Sequence, residues 1–363
     1  MRGPRRGLFS TPIFFDRMEG KFHMKKSLAA LAALVTLSIL FVGALPAFAA
    51  EGERLSVVAT NFPGFDFART VAGGNCDVEL LLPPGAESHT YEPTPRDILK
   101  IQNADLFIYA GGEGDTWVDD ILSSMDHAVP ALGMVDLVDA VAEVTVEGMT
   151  EEEHHHDEDG ADHDEDGADH EGDHEEDDHA DEEGRVHGHP DEHVWTAPKN
   201  ADLIQKAIAK ELAVLDPANA AAYEANSAAY AEALAALDQA FIDFFAGVSN
   251  RTLIVGDRFP LRYFADAYGL TYYAAFPGCS TETEPSAYTI AFLTDKVRDG
   301  NVSTVFYIEF SNHLVADSIA EQTGAKTALF HSCHNVSKAE LDAGVSYLSL
   351  MEGNLETLKG AMM

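Results

Sequence analysis

The sequence predicts an α/β protein of two lobes, each with a parallel sheet, joined by a single long rigid helix. Short apolar runs alternate with helical patterns in both halves of the chain, which favours parallel sheets covered by helices. One uninterrupted, Ala-rich helical pattern lies between these two regions. At 363 residues the chain is long enough for two domains of ordinary size.

The N-terminus is typical of an exported protein. Residues 1–23 are predicted to be an upstream extension and residues 24–49 a signal peptide. Two lysines follow Met24, an apolar run extends to Leu45, and small residues precede the predicted mature start at Ala50. Because the apolar run is nearly long enough to span a bilayer, a retained helix is the alternative. Both possibilities place the protein in a periplasm or at the extracellular face of the cytoplasmic membrane.

Residues 50–150 are predicted to form the N-terminal lobe, and residues 191–215 to complete it. Strands are expected at Leu55–Thr60, Val78–Leu82 and Leu106–Ala110. A helix is expected after each of them, at Phe65–Ala72, Pro95–Ala104 and Trp117–Met125, with a further helix at Lys199–Leu215. In such sheets ligands bind beyond the carboxyl ends of the strands. The loop of residues 83–93 follows the second strand at that end.

An acidic, histidine-rich segment, residues 151–190, interrupts this lobe. Residues 151–193 contain ten of the sixteen histidines and 22 of the 62 acidic residues. The segment lacks the apolar surface needed to offset its ordering entropy, so it is predicted to be a disordered loop. Imidazole and carboxylate groups together suit zinc; an acidic, solubilising linker is the alternative. The predicted low-affinity ligands are His154, His155, His156, His163, His170, His174, His179, His187 and His189.

The net charge of −39 indicates which classes of partner the protein can bind. So acidic a surface offers nothing to neutralise phosphates, which argues against nucleic acid. It concentrates cations instead.

Residues 216–247 are predicted to be the linker helix. The pattern Pro217–Ala246 has no Gly or Pro in its interior and is rich in Ala. Asp216 suits the N-cap and Pro217 the first turn. About thirty residues rising about 1.5 Å each give a rod of roughly 45 Å, which favours a strut between two lobes. A long packing helix within one lobe is the alternative.

Residues 248–363 are predicted to form the C-terminal lobe. Strands are expected at Thr252–Val255, Leu270–Ala275, Thr304–Ile308 and Thr327–Phe330, and helices at Leu261–Tyr268, Ala287–Arg298, Leu314–Thr323 and Tyr347–Met362. This repeats the alternation of the first lobe.

Three histidines stand where a cleft is expected. His89 and His331 each follow a predicted strand, and His193 stands at the exit of the acidic segment, beside Trp195. A single histidine after a strand is more often structural than a metal ligand. Three at one cleft, in a chain with a histidine-rich segment, favour a set of ligands.

Two motifs resemble those of the zinc and manganese solute-binding proteins of ABC importers. Residues 87–95 (ESHTYEPTP) are similar to that family's PHxYEPTP signature, and residues 191–195 (DEHVW) to its DPHxW. An acidic, histidine-rich loop before the second motif is typical of the zinc-uptake branch. The resemblance extends from about Leu55 to the C-terminus. It implies two α/β lobes joined by one long helix, with the metal in the cleft between them.

The resemblance also implies four metal ligands. His89 and His193 take the first two positions. The family's third ligand is a histidine that opens an HDAFxYF segment, but residues 256–264 (GDRFPLRYF) have Gly256 there and two additional residues. Its fourth is an acid in a turn, where this chain has His331. The oxygen ligand that completes the set is expected from one of three acids: Asp257, Glu309 or Glu282. Three imidazoles and a carboxylate favour Zn²⁺ over Mn²⁺.

The function implied is that of an extracytoplasmic substrate-binding protein, a monomer that captures Zn²⁺ and presents it to an ABC permease and its ATPase. It is not expected to be an enzyme. The alternatives are a manganese receptor of the same family and a secreted protein for zinc buffering or adhesion. A secreted zinc hydrolase is disfavoured because the sequence contains no GxSxG, and its HExxH match, residues 170–174 (HEGDH), lies in the segment predicted to be disordered, whereas that motif acts on a helix.

The chain has three cysteines. An exported protein permits disulfides. Cys279 and Cys333 both follow predicted strands of the second lobe and are predicted to pair, with two reduced, buried thiols as the alternative. Cys76 is expected to be free and buried.

Overall fold

The computed structural model describes residues 54–125, 127–149, 186–280 and 284–363, with only the backbone described at Glu113 and at 186–189. All of them belong to one compact unit, Arg54–Met363. The predicted upstream extension, signal peptide and Glu282 lie outside the described residues. So do residues 151–185 of the acidic segment and the side chains of His187 and His189.

The first lobe is built on a parallel four-stranded sheet in the order β2-β1-β3-β4. Its elements are β1 Leu55–Ala59, α1 Phe62–Ala72, β2 Cys76–Leu80, α2 Pro95–Gln102, β3 Leu106–Tyr109, α3 Thr116–Ser124 and β4 Ala131–Gly133. The predicted alternation is confirmed. β4, which was not predicted, is only three residues long, too short for an apolar pattern to show.

Helix α1 begins three residues earlier than predicted because Asn61 caps it. The Asn61 side chain accepts a hydrogen bond from Gly64 N, and the helix ends at Gly73, which has a left-handed φ of 56°. The first turn also contacts the second lobe, since Phe62 N donates to His334 O at 3.2 Å.

A short antiparallel pair follows, formed by β5 Ala142–Val144 and β6 Val186–Pro190. The sequence did not predict it. Asp191 N donates to Val141 O at 2.8 Å just beyond β6, and this fixes the position of residues 191–195. The chain then continues into helix α4, Pro198–Leu215.

One long helix, α5 Ala220–Ala246, joins the lobes. It begins three residues later than predicted because Asp216 ends α4 and does not open α5. The Asp216 carboxylate accepts hydrogen bonds from Asn219 Nδ2 at 2.6 Å and Tyr223 Oη at 2.7 Å, which hold the intervening turn. The helix packs against α1 and α4 as well as against elements of the second lobe.

The second lobe contains a parallel sheet in the order β10-β9-β7-β8. Its elements are β7 Thr252–Phe259, α6 Arg262–Tyr268, β8 Thr271–Pro277, α7 Ala287–Asp299, β9 Thr304–Tyr307, α8 Leu314–Thr323, β10 Lys326–Leu329, α9 Lys338–Asp342 and α10 Tyr347–Met362. β7 is four residues longer than predicted, and its register with β8 shifts between Val255 and Arg258.

The two lobes share one apolar core. A single buried cluster includes Phe67 of the first lobe, Tyr223 and Phe241 of α5, and Phe264 and Tyr347 of the second lobe. Smaller clusters lie on the other face of each sheet. A continuous, close-packed core resists relative motion of the lobes, and it holds the loops between the sheets in fixed positions.

No helix within the described ranges is both long and apolar enough to cross a membrane.

Candidate metal centre

Four side chains, which together form what we call the metal centre, converge between the lobes: His89, Glu192, His193 and His334. Each offers one ligand atom, and these atoms all lie within 4.8 Å of one another. Three are imidazole nitrogens and one is a carboxylate oxygen, a set that suits a tetrahedral zinc ion.

His89 lies in the loop that follows β2. Gly85 N donates to Val336 O at 2.9 Å, which ties this loop to the second lobe. Nδ1 of His89 is buried, lacks a hydrogen-bond partner among the described residues, and lies 3.6 Å from Glu192 Oε1. Burial, followed by the positive charges of His193 and Arg258, lowers the pKa of His89 to about 3. The ring is therefore neutral, as a metal ligand must be.

His193 is oriented by Asp191, two residues before it. Asp191 Oδ1 lies 2.9 Å from His193 Nδ1 and also accepts a hydrogen bond from His193 N. A proton on Nδ1 leaves Nε2 as the coordinating nitrogen, and Nε2 is buried with no partner in the described part of the chain. Burial opposes protonation here, but the Asp191 hydrogen bond and charge raise the pKa of His193.

Glu192 is held in a cradle of glycines in the segment between β3 and α3. Gly114 N donates to Glu192 Oε2 at 2.8 Å. A Cβ at Gly114 would lie 2.9 Å from both carboxylate oxygens, and one at Gly112 would lie 2.9 Å from Glu192 Cβ. Only glycine permits this approach without a shift. Burial raises the pKa of Glu192 to about 8, and the negative charge of Asp115 adds to this.

His334 comes from the second lobe, in the loop between β10 and α9. Its Nδ1 lies 3.2 Å from Ser88 Oγ, and its Nε2 lies 3.9 Å from Glu192 Oε1. Burial, then the charges of His193, His89 and Arg258, keep the pKa of His334 well below its usual value. Two imidazoles of the centre are thus held neutral.

The loop that carries His334 is fixed to the first lobe by hydrogen bonds. Trp195 Nε1 donates to Ser332 O at 2.9 Å. The Asn335 side-chain amide donates to Pro83 O and Ala86 O, both at 2.9 Å. The His334 loop and the His89 loop therefore hold each other in place.

The structure does not bring His331 into the metal centre. Its Nδ1 accepts a hydrogen bond from Cys333 N at 2.9 Å, and Asn354 bonds both its backbone N–H and its carbonyl. Cys333 has a left-handed φ of 65°, which turns the chain so that His334 faces the cleft. The turn thus brings His334 to the group, three residues after the predicted ligand His331.

Two of the three predicted oxygen donors, Glu309 and Asp257, are also not in the group, and the third, Glu282, lies outside the described residues. Glu309 accepts hydrogen bonds from Ser332 N, Ser332 Oγ and His334 N, so it holds the His334 loop. The Asp257 carboxylate accepts from Arg258 N. The carboxylate in the group is that of Glu192.

Cys279 and Cys333 are not joined by a disulfide in the described structure, which corrects the predicted pairing. The Cys333 thiol lies 3.8 Å from His331 O and is fully buried in the shared core. Cys279 N instead donates to Glu143 at 2.7 Å. Cys76 is buried and lies 3.4 Å from Tyr223 Oη, as a free thiol.

Glu192 and His334 were not predicted from the sequence, although the sequence contains an indication of each. Glu192 stands where the DPHxW motif has proline, so a carboxylate replaces a residue without a ligand atom. Residues 331–334 (HSCH) offer two histidines, and only the backbone conformation decides which one reaches the cleft.

Comparisons with known proteins agree with this architecture. The family model described as ZnuA, zinc-uptake complex component A, periplasmic, matches residues 57–361. The zinc-binding lipoprotein AdcA of Streptococcus pneumoniae is 31% identical over 326 residues, which cover 90% of this chain and 59% of AdcA. The chain thus spans well under two thirds of that relative. The high-affinity zinc uptake system protein ZnuA of Bacillus subtilis is 32% identical over 316 residues, 86% of this chain and 89% of that protein.

Solved structures show the same fold. The Zn(II)-bound ZnuA-like domain of S. pneumoniae AdcA superposes with a TM-score of 0.64 at 27% identity, over 85% of this chain and 99% of that one. The metal-dependent lipoprotein YcdH of B. subtilis gives 0.65 at 29% identity, with the same coverage. The chain is therefore a member of the ZnuA family, the periplasmic component A of zinc-uptake complexes.

Proposed function

We propose that this protein binds Zn²⁺ tightly at the metal centre and delivers it to the permease of an ABC importer. The observation that carries the proposal is the convergence of four buried ligand atoms, from both lobes, within 4.8 Å of one another. The names of relatives, a zinc-binding lipoprotein and a zinc uptake system protein, point to the same cargo.

The ligand types favour zinc over manganese. Three nitrogens and one oxygen suit a borderline ion in tetrahedral geometry, whereas Mn²⁺ prefers oxygen-rich sites. Manganese is expected to bind the same four residues more weakly.

The metal centre suits reversible binding of a zinc ion better than catalysis by one. A catalytic zinc keeps an open position for water, usually with three protein ligands. Here four protein groups converge, which supports a closed site. The family is one of transport proteins, and this chain is proposed to act as a monomer with a permease and its ATPase.

The proposed location is outside the cytoplasm, as for the relatives described as lipoproteins or periplasmic components. The acidic segment, residues 151–190, is proposed to collect metal with low affinity before it reaches the metal centre. Its composition, nine histidines among residues 151–190, supports this role.

A metal titration tests the proposal. The chain from Ala50 is titrated calorimetrically with Zn²⁺ and Mn²⁺, beside a variant that lacks residues 151–189. We expect one tight zinc site in both proteins, weaker binding of Mn²⁺, and loss of only the weak sites with the deletion. Tight binding that disappears with the segment would contradict the proposal and favour metal buffering.

A further inference from the structure

A cavity of about 300 Å³, which we call the outer cavity, lies beside the metal centre. A smaller cavity of about 20 Å³ is lined by three of the four ligands, His89, His193 and His334. Glu87, His89, Arg258 and Phe310 line both cavities. The Glu87 and Arg258 side chains therefore lie at the boundary between the two cavities, beside the ligand His89.

Glu87 and Arg258 form an ion pair across the cleft. Arg258 Nη2 lies 2.6 Å from Glu87 Oε2. At this distance the carboxylate and the guanidinium form a charge-assisted hydrogen bond of the strong kind.

Exposure falls in sequence across these residues. The side chain of Glu87 is 38% exposed, that of Arg258 16% and that of His89 4%. Of the three side chains, Glu87 is thus the most accessible to a cation from solvent and His89 the least.

The backbone of β7 positions the Arg258 side chain beside Glu87 and His89. The register of β7 against β8 shifts between Val255 and Arg258, an irregularity of the kind that redirects side chains beside binding sites. Gly256 precedes it, and a Cβ there would lie 2.6 Å from Ala316 Cα. The strand can approach α8 only because residue 256 is glycine.

We propose that the Glu87–Arg258 pair is a kinetic gate between the outer cavity and the metal centre. The inference rests on the proposed function, since it concerns the passage of Zn²⁺ to that centre. A divalent cation is repelled by the guanidinium in its path, and the guanidinium moves aside only if its bond to Glu87 breaks. If the pair re-forms after passage, it slows binding and release alike, and the change in affinity is small beside the change in the two rates.

A residue that only stabilised the bound site would behave differently. Its removal would speed release without speeding association, and affinity would fall. The two rate constants therefore separate a gate from a structural contact.

Stopped-flow kinetics on the full chain test the gate. Trp195 lies with its ring centroid 5.6 Å from His193 and 5.0 Å from His334, so its fluorescence is a suitable reporter of Zn²⁺. Association is followed on mixing with Zn²⁺, and release on mixing the zinc-loaded protein with excess EDTA. The variants are Arg258→Met, Glu87→Gln, the double variant and Arg258→Lys. The matched control is Arg298→Met, which removes a half-exposed arginine of α7.

For Arg258→Met we expect both rate constants to rise about tenfold, with the dissociation constant within about threefold of the wild-type value. The double variant should match Arg258→Met, Arg258→Lys should recover slow passage, and Arg298→Met should behave as wild type. Unchanged rates with stoichiometric zinc would overturn the gate and leave the proposed function standing. Faster release alone, with weaker affinity, would also overturn it. A wild-type protein that binds no zinc at the metal centre would instead refute the proposed function.

Discussion

The two lobes contribute to the metal centre in different ways. The first lobe supplies His89, Glu192 and His193 from two segments whose motifs are visible in the sequence. Among the described residues, the second lobe supplies His334 alone, from a loop in which the motif indicated His331. Two of the three residues from the first lobe were predicted from the sequence, and the one from the second lobe was not.

The physical cause of the difference is local backbone conformation. The Asp191 carboxylate, two residues away, orients the His193 ring. Both residues belong to the same short motif, so this contact can be read from the sequence. His334 is set by the left-handed turn at Cys333 and by the long-range hydrogen bonds of Asn335 and Glu309. Contacts made across the fold leave no pattern in neighbouring residues.

The largest expected effect comes from removal of a first-lobe ligand. His193→Ala should weaken zinc binding at least about 100-fold, because four ligands share about 10–16 kcal/mol of binding free energy. Competition titration against a chelator of known affinity measures it. His127→Ala, at an exposed residue hydrogen-bonded only to Gln102 O among the described residues, is the control and should bind as wild type. Equal affinity for the two variants would show that the centre lies elsewhere.

Loss of the Asp191 contact that orients His193 should weaken zinc binding nearly as much as loss of a ligand. Asp191→Asn keeps the shape of the side chain but weakens the hold on His193 Nδ1. Loss of such a supporting contact typically costs about 10–100-fold in metal affinity. The same titration measures it, and wild-type affinity in this variant would mean that packing alone orients the ring.

Acidity should weaken zinc binding through Glu192. Burial raises the pKa of this carboxyl to about 8, so below pH 8 zinc displaces a proton when it binds. Affinity should therefore rise about tenfold per pH unit from pH 6 towards 8 and then level off. Titrations across this range measure the slope. Glu192→Gln should flatten it, and an equally steep slope in that variant would assign the proton to another group.

A smaller effect is expected from the glycine cradle. In Gly114→Ala the added methyl would lie 2.9 Å from both Glu192 oxygens, so the carboxylate must shift. Overpacking of this kind costs about 1–3 kcal/mol, and we expect roughly tenfold weaker zinc binding. The control is Gly353→Ala in α10, where no described atom lies within 4 Å of the added carbon.

Much of the fold was predictable because strands and helices alternate with clear periodicity. The errors were local: Asp216 reads as an N-cap but ends α4, and β5 and β6 are short strands that pair across a long intervening segment. A metal site between the lobes was predicted from the family resemblance, and the structure brings His89, Glu192, His193 and His334 together there.

Two of the four residues of the metal centre were predicted from the sequence. His89 and His193 follow from their motifs, and the structure brings them together. Glu192 and His334 depend on the glycine cradle and on a left-handed residue, neither of which a spacing argument detects. Arg258 lies beside the ligands but stands where the HDAFxYF segment has alanine, so the motif did not single it out.

The most direct test compares His334→Ala with His331→Ala in one zinc titration, with thermal unfolding of the metal-free proteins alongside. We predict that His334→Ala loses zinc affinity at least about 100-fold. His331→Ala should keep zinc affinity within about threefold of wild type and lose stability, because it removes the buried acceptor of Cys333 N. The opposite pattern, with zinc lost in His331→Ala and retained in His334→Ala, would contradict a metal centre formed by His89, Glu192, His193 and His334.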